Sequence, residues 1–287
     1  MLLSSLLLLV LAAALHAIAN TLMKKSHDKI AFCWWMLIAF SVLGVPTLFF
    51  LPRVEPSAWL IVLLSGVLEA IYFFTLTRAY TSGDLSLVYP IARGSAPLFL
   101  LLWAVLFLGE RPTWMGFCGI ASVIAGLYLI NLSKIRDWSR PLHAFRSSAS
   151  RWALLTGVLI SAYSAVDKVG VRYFHPFVYL YLILLVCCFF LSFQWLIPDR
   201  RVALKEEPRN GRLIPILAAA VFGTAGYLLV LGAMRLSPVS YVGPVREVSV
   251  VIGAWIGIRY LGEQGGSLRI AASILVALGI GLIAMFG

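Results

Sequence analysis

Residues 85–110 are LSLVYPIARGSAPLFLLLWAVLFLGE, and residues 239–263 are VSYVGPVREVSVVIGAWIGIRYLGE. Each stretch has about the length that crosses a membrane, and in each an arginine, Arg93 or Arg246, follows shortly after a proline. A charged side chain near the bilayer centre costs roughly 2.5–3.5 kcal/mol on insertion scales, so it normally faces a cavity or a partner. The two arginines therefore predict a polar site inside a membrane protein, with the arginines facing each other.

The two stretches keep a common register, which indicates an internal duplication. Arg93 lies fifteen residues before Leu108-Gly109-Glu110, and Arg246 lies the same distance before Leu261-Gly262-Glu263. A deletion of one residue, between the proline and the arginine, is all that the alignment requires. The chain is thus expected to consist of two related halves.

The composition is that of a polytopic membrane protein. Of the 287 residues, 61% are hydrophobic and 12% are charged, with a mean hydropathy of +0.95, whereas about 25% of the residues in a soluble domain are charged. The net charge of +11 does not indicate nucleic-acid binding, because most basic residues lie in short connectors, as in cytoplasmic membrane loops.

No cofactor or metal is expected. The cysteines lie in apolar runs without zinc-ligand or redox spacing and are predicted to pack: Cys33, Cys118, Cys187 and Cys188.

Ten segments have the length, about 20 residues, that a helix needs to cross the hydrocarbon core. They are predicted near residues 2–22, 31–51, 58–79, 85–107, 113–132, 152–172, 176–197, 213–234, 239–260 and 268–286. No Lys or Arg precedes the first apolar run and no cleavage site follows it, which favours a transmembrane helix over a signal peptide. The fold class is then all-α, with five-helix repeats at 1–133 and 152–287 and a basic linker at 134–151.

An odd number of helices in each repeat requires the second repeat to enter the membrane in the opposite direction. The charges agree, since the connector after the first span carries three lysines and the connector after the seventh carries five basic residues. Sixteen basic residues fall on one side and five on the other, leaving out the two arginines in the spans. The positive-inside rule places the basic side in the cytoplasm and both termini outside. The short loops suit a bacterial inner membrane.

With these features the chain resembles the EamA family of the drug/metabolite transporter superfamily over essentially its whole length. The resemblance implies a secondary transporter, not an enzyme, that moves a small polar metabolite by alternating access. It also implies a cavity between the repeats, lined in part by the fourth and ninth spans. The motifs that carry it are His16-Ala17 with Asn20 and Lys24, Tyr89-Pro90-Ile91-Ala92-Arg93-Gly94, Leu108-Gly109-Glu110-Arg111, Gly243-Pro244-Val245-Arg246-Glu247 and Leu261-Gly262-Glu263.

Arg93 and Arg246 are interpreted as a site for an anion, because two guanidiniums present planar forks to a carboxylate or phosphate. The alternative is that each arginine pairs with a buried carboxylate as a static contact. Glu69 and Glu247 are the candidate carboxylates. Glu69 lies deepest in its span and could carry a proton or could simply neutralise an arginine.

Other polar residues of the spans have two interpretations each. His16 and Asn20 are four residues apart and share one face of the first helix, which either lines the cavity or makes interhelical hydrogen bonds. Tyr89 lies one turn from Arg93 and is expected near the same site. Glu110 and Glu263 end the fourth and ninth spans and are interpreted as structural.

Three further features are expected to serve packing. Asp167 and Lys168 are interpreted as a local ion pair near a helix end. Gly253 and Gly257, four residues apart, are compatible with close helix contact or with a homodimer. The remaining tyrosines of the spans could line a cavity, but they are expected to pack or to anchor the helices: Tyr163, Tyr227 and Tyr241.

Several functions remain open on the sequence. The substrate with an anionic group could be an organophosphate, a phosphonate or a carboxylate, with proton coupling as an option. An amino acid, with its amine on Glu69 or Glu247, or a cationic compound would suit the same fold. An intramembrane enzyme and a non-transporting assembly protein are alternatives of another class, although the sequence lacks zinc-protease, serine-nucleophile and paired-aspartate motifs. The expected partners are a small-molecule substrate and the lipid bilayer.

Overall fold

A computed structural model describes residues 1–52, 54–82, 85–130, 132, 147–209, 211–249 and 267–287, which form helices and short connectors without a strand. Two 3-10 turns, Val45–Phe50 and Phe193–Leu196, extend two of the helices. The α-helices in chain order are α1 Leu3–Lys24, α2 Lys29–Leu43, α3 Pro56–Ser82, α4 Leu85–Leu108, α5 Trp114–Ile130, α6 Ser148–Tyr173, α7 Pro176–Ser192, α8 Pro198–Glu206, α9 Leu213–Leu236, α10 Val239–Arg246 and α11 Ser267–Phe286.

Most of the helices have the character of membrane spans. Among the described residues, six helices are long and apolar enough to cross a membrane, namely α1, α3, α4, α6, α7 with its 3-10 turn, and α9. The shorter apolar helices are α2, α5 and α11. Large apolar side chains face outward, with Phe49 86% exposed and Ile214 77% exposed, as the surface of a protein in lipid requires. The all-α polytopic class is confirmed. The ninth predicted span extends beyond α10 into residues outside the described part.

Local sequence signals explain the helix limits. Asp28 begins α2, where its side chain accepts the N–H of Ala31 at 2.8 Å, which satisfies one of the free donors at a helix start. The second predicted span, 31–51, is only partly α-helical, because α2 ends at Leu43 and the chain continues as a 3-10 turn. Pro46 lies in the first positions of that turn, and proline has no N–H for an α-helical hydrogen bond.

Two boundaries differ from the sequence prediction. Residues 148–151, predicted as the end of the linker, belong to α6, which begins after the capping side chain of Ser147. Helix α8 lies inside the stretch predicted as a polar connector. Pro198 in its first turn and Lys205 in its last turn are typical helix signals that its short length concealed.

The helices pack along each other in pairs from opposite halves of the chain. Helix α1 packs along α9, α3 along α6, and α5 along α11. The α5–α11 contact is the closest, since a Cβ atom on Gly119 would lie 2.8 Å from the carbonyl oxygen of Gly279. A Cβ on Gly279 would in turn lie 2.7 Å from the carbonyl oxygen of Gly119. Glycine at both positions therefore lets the two backbones touch.

The helix ends gather at two opposite ends of the molecule, separated by the length of α1. At one end the amino group of Met1 donates to the carbonyl oxygen of Gly287 at 2.6 Å, so the two termini meet. At the other end Arg200 donates to Asp28 at 2.6 and 2.8 Å. That contact joins the connector after α1 to the connector after α7, and these two basic connectors share one end as the charges predicted.

Candidate functional site

A cavity lies at the centre of the helix bundle, between helices of both halves of the chain. The volume of this cavity is about 160 Å³. An apolar cavity of about 150 Å³ accommodates benzene, so this cavity has room for a small metabolite. Its polar lining consists of His16, Glu69, Tyr72, Arg93, Tyr163, Thr224, Tyr227, Arg246 and Ser249.

Arg93 and Arg246 meet at one carboxylate. Nη1 of Arg93 on α4 donates to Oε1 of Glu247 at 3.3 Å, and Nε of Arg246, the last residue of α10, lies 3.6 Å from the same oxygen. The side chain of Glu247 is 1% exposed. The two arginines that the repeat predicted to face each other thus lie beside a common counter-charge from the second half of the chain.

Arg246 is buried but incompletely bonded. Its side chain is 7% exposed, and its Nη1 makes one long hydrogen bond of 3.5 Å to the hydroxyl of Ser164. Within the described part of the chain, its Nε has no hydrogen-bond partner. A buried guanidinium usually has its donors satisfied, so the Nε of Arg246 is an unused donor in a side chain that lines the cavity.

Glu69 also lines the cavity, from α3. It is 5% exposed, and its Oε2 has no hydrogen-bond partner among the described residues. The ion pairs of Arg93 and Arg246 in the described part of the chain go to Glu247 and none to Glu69. Of the two carboxylates that could neutralise the arginines, Glu247 is the one in contact with both.

Asp167 and Lys168 do not form the predicted local pair. Asp167 is fully buried, and its carboxylate accepts hydrogen bonds from three hydroxyl groups. Lys168 instead donates its Nζ to the carbonyl oxygens of Met234 and Ser237, at 2.5 and 2.8 Å. It thereby satisfies free carbonyls at the end of α9. The prediction was wrong because adjacent residues of a helix point in different directions.

The other predicted site residues divide into those that the structure places and those that it does not. His16 lines the cavity from α1, with its ring 6.4 Å from that of Tyr227. The side chains of Asn20 and Tyr89 lie outside the described part of the chain, as do Gly253, Gly257 and Glu263. Glu110 accepts the backbone N–H groups of Val239 and Ser240 at 2.8 and 2.9 Å. It joins the end of α4 to the start of α10.

Sequence reasoning missed part of the cavity wall. Tyr72, Tyr163 and Tyr227 all line the cavity, although packing or anchoring was the preferred interpretation of the last two. Two spacings could have indicated this, because Tyr72 lies three residues after Glu69 and Tyr163 lies four before Asp167. Residues with these spacings share a helix face. Tyr241 packs as expected, and its hydroxyl accepts the N–H of Thr113 at 2.9 Å.

Comparisons with known proteins agree with this architecture. One match is 31% identical over 78 residues to an "Uncharacterized transporter in cobO 3'region" from Sinorhizobium sp., and it spans 27% of this chain and 55% of that relative. A solved protein crystal structure has the same fold with a TM-score of 0.69, over 97% of this chain and 96% of that one, at 15% identity. The model of the EamA-like transporter family matches residues 3–132 and again 148–285. The protein therefore belongs to the EamA-like transporter family and is a multi-pass membrane protein.

Proposed function

We propose that this transporter carries a small metabolite with an anionic group, such as an organophosphate, a phosphonate or a carboxylate, by alternating access. The observation that carries the proposal is Arg246, a buried guanidinium in the cavity lining whose Nε has no hydrogen-bond partner among the described residues. A carboxylate or phosphate group accepts two parallel hydrogen bonds from a guanidinium. The substrate would supply the acceptors that Arg246 lacks.

The position of Glu247 supports an exchangeable anion site. Its Oε1 serves Arg93 and Arg246 together, at 3.3 and 3.6 Å, so neither arginine receives a short, bidentate pairing from it. Glu247 stabilises the buried guanidinium of Arg246 and the partly exposed one of Arg93 while no substrate is bound. A substrate anion can then add to Arg246 without breaking a strong ion pair.

We infer that the transport machinery is two inverted repeats of five helices, 1–133 and 152–287, around the linker 134–151. The short helix α8 is not a span, so α9, α10 and α11 are spans eight, nine and ten. The α1–α9 contact therefore joins spans one and eight, and the α3–α6 contact joins spans three and six. Spans one and six occupy equivalent places in the two repeats, as do spans three and eight. Exchanging the repeats therefore turns the first of these pairs into the second. The α5–α11 pair, with its reciprocal glycine contact, converts into itself. Such packing supports a two-fold axis in the membrane plane.

The orientation in the membrane is a further part of the proposal. The connectors after α1 and α7 lie at one end of the bundle and carry three and five basic residues, so we place that end in the cytoplasm and both termini outside. Thiol labelling of single cysteines introduced at the exposed residues Arg201 and Arg111 tests this in intact bacterial cells. An impermeant reagent should label the cysteine at 111 and leave the one at 201 unlabelled.

A zwitterionic substrate is the second candidate, and Glu69 favours it. Its Oε2 is buried, lacks a partner in the described part of the chain, and belongs to a side chain at the cavity wall. An amino acid could place its carboxylate at Arg246 and its ammonium at Glu69. Cationic compounds would need Glu69 alone. A buried acid at the cavity could also couple transport to protons.

Thermal stabilisation of the purified protein tests the proposal. A ligand at 100 times its dissociation constant stabilises the folded state by about 2.7 kcal/mol. The panel contains organophosphates, phosphonates, carboxylates, amino acids and cationic compounds. Stabilisation by anions that disappears in Arg246→Ala but persists in Arg111→Ala, a change at an exposed arginine, supports the anion site. Stabilisation by cations alone, with dependence on Glu69, contradicts it.

Uptake into proteoliposomes separates transport from the other classes of function. We expect the best ligand of the panel to enter the vesicles chemically unchanged. Chemical conversion of the ligand in detergent, where no membrane separates two compartments, would instead indicate an enzyme. Stabilisation without uptake would indicate a protein that binds the ligand but does not transport it.

A further inference from the structure

A cluster of hydroxyl groups surrounds Asp167 at the meeting point of four helices. Ser65 on α3 donates to Oδ1 of Asp167 at 2.5 Å, and Tyr179 on α7 donates to the same oxygen at 2.9 Å. Tyr227 on α9 donates to Oδ2. Ser65, Asp167 and Tyr179 are fully buried. The carboxylate thus receives three charge-assisted hydrogen bonds away from solvent, and these stabilise its ionised form.

Tyr227 connects this buried cluster to the cavity. The same side chain whose hydroxyl donates to Asp167 lies in the cavity wall. Tyr179 donates to Asp167 as well, but it does not belong to the cavity lining. A hydroxyl group both donates and accepts a hydrogen bond, so Tyr227 is a short path for a proton between the cavity and Asp167.

Glu69 and Glu247 are the other buried acids nearby, and their bonding differs from that of Asp167. Glu69 lies one turn after Ser65 on α3, and the Oε2 of each glutamate lacks a donor in the described part of the chain. An unbonded carboxylate oxygen makes the ionised form costly in a buried site. The three donors around Asp167 stabilise its ionised form, whereas its burial favours the neutral form. It is therefore the acid suited to alternate between the two.

The remaining groups around Asp167 link its charge to the substrate site. Arg246 on α10 donates to Ser164 on α6 at 3.5 Å, one turn before Asp167, so its positive charge lies beside this part of α6 and favours the ionised carboxylate. Lys168 points away to the carbonyl oxygens of Met234 and Ser237. The other titratable groups at the cavity wall are His16 on α1, Cys33 on α2, Tyr72 on α3, Arg93 on α4 and Tyr163 on α6 itself, and Glu247 lies beside the two arginines.

We propose that Asp167 takes up a proton when an anion binds at Arg246, and that Tyr227 carries that proton from the cavity. The proposal rests on the anion site described above and names the acid that would couple transport to protons. An anion at Arg246 cancels the positive charge that favours ionised Asp167, so the carboxylate then binds a proton. The Tyr227 oxygen accepts a proton from cavity water while its own proton moves to Oδ2 of Asp167. The net change is one proton transferred from the cavity to Asp167.

Infrared difference spectra of the ligand-free protein test the assignment first. We expect the C=O band of a carboxylic acid to grow as the pH is lowered across the range in which the protein stays folded. Other carboxyls, Asp28 among them, also titrate, so Asp167 is identified by the part of the titrating signal that Asp167→Asn removes and that Glu69→Gln keeps. Equal titrating signals in the unmodified protein and in Asp167→Asn overturn the assignment.

The pH dependence of anion affinity tests the link to the substrate site. The probe is ethanesulfonate, whose charge does not change with pH. Uptake of one proton strengthens its binding by about tenfold for each unit of decrease in pH. Asp167→Asn should bind ethanesulfonate with an affinity independent of pH. An affinity of the unmodified protein that does not change with pH overturns the proposal. If ethanesulfonate does not bind at all, the anion site fails, while the infrared titration still decides whether Asp167 takes up a proton.

Two tyrosine variants test the path and do not depend on the stability of Asp167→Asn. Tyr227→Phe and Tyr179→Phe each remove one hydroxyl donor from Asp167, but only Tyr227 reaches the cavity. Proton uptake after a rapid drop in pH, followed with an indicator dye, should slow at least tenfold in Tyr227→Phe. It should keep its rate in Tyr179→Phe. Equal rates in the two variants would exclude Tyr227 as the carrier.

Discussion

The guanidinium of Arg246 lies 3.6 Å from the carboxylate of Glu247, its neighbour in the chain. Adjacent residues of a helix do not normally face each other. Here α10 ends at Arg246, and Glu247 follows as the capping residue, outside the regular helix. The end of the helix thus brings an arginine and its own counter-charge together at the cavity wall. The separation is longer than a hydrogen bond, so the attraction is mainly between charges.

Replacing Glu247 with Gln should destabilise the protein without ligand and increase its affinity for anions. Removing one partner of a buried ion pair costs about 3–5 kcal/mol, and the partial exposure of Arg93, 23% of its side chain, places the expected loss toward the lower figure. A bound anion would replace the missing charge. Melting temperatures of Glu247→Gln with and without an anionic ligand check this, and the shift caused by the ligand should exceed that of the unmodified protein. A smaller shift would mean that Glu247 itself helps to bind the substrate.

Glu110 should stabilise the start of α10. Its two oxygens accept the first free backbone donors of that helix, at Val239 and Ser240, and its negative charge lies at the positive end of the helix dipole. Glu110→Ala should lower the free energy of unfolding by about 1–2 kcal/mol, and Glu110→Gln should lower it by less. Arg111→Ala, at an exposed neighbour, is the control and should change it by about 0.5 kcal/mol or less. Equal effects of the two alanine variants would contradict this role.

Gly279 and Gly281 on α11 form a matched pair for testing the α5–α11 contact. A Cβ atom at Gly279 would lie 2.7 Å from the carbonyl oxygen of Gly119, whereas a Cβ at Gly281 would meet no heavy atom within 4 Å. Gly279→Ala should therefore lower the free energy of unfolding by about 1–3 kcal/mol. Gly281→Ala should leave it unchanged or raise it by up to about 1 kcal/mol, since alanine favours the helix. Similar melting temperatures for both variants would show that the helices separate without cost.

The sequence predicted the parts of the site that depend on repetition. Arg93 and Arg246 occupy equivalent places in the duplicated pattern, and in the structure they lie beside the same carboxylate. Long apolar segments likewise predicted the long helices, because a membrane imposes a length on each span. The short helix α8 was missed, since no such length applies to a segment between spans.

Contacts between distant residues could not be predicted from spacing alone. Asp167 stands next to Lys168 in sequence, but its partners are hydroxyl groups 102, 12 and 60 residues away. The choice between Glu69 and Glu247 as the partner of the arginines was open for the same reason. It depends on how α3, α4 and α10 pack together, and hydropathy and periodicity contain no information on that packing.

The contact between Asp28 and Arg200 gives the last prediction, which concerns acid stability. Partial burial alone would raise the pKa of the Asp28 carboxyl, but the hydrogen bonds from Arg200 and from the N–H of Ala31, with the charge of Arg200, outweigh it and hold the pKa below its usual value. A carboxyl whose pKa is lowered by folding stabilises the protein above the pKa of the unfolded chain, about 3.9. That stabilisation is lost as the pH falls through the lower pKa of the folded state.

Asp28→Asn keeps a side-chain oxygen to cap α2 and removes the titrating group. The melting temperature of this variant should therefore fall less steeply below about pH 4 than that of the unmodified protein, although it starts from a lower value at neutral pH. Asp199→Asn, at an exposed aspartate in the first turn of α8, makes the same change of charge outside the contact. The acidic part of its curve should follow that of the unmodified protein. If Asp28→Asn and Asp199→Asn give parallel curves, Arg200 does not stabilise this end of the bundle through the charge of Asp28, and the connectors are held together by packing alone.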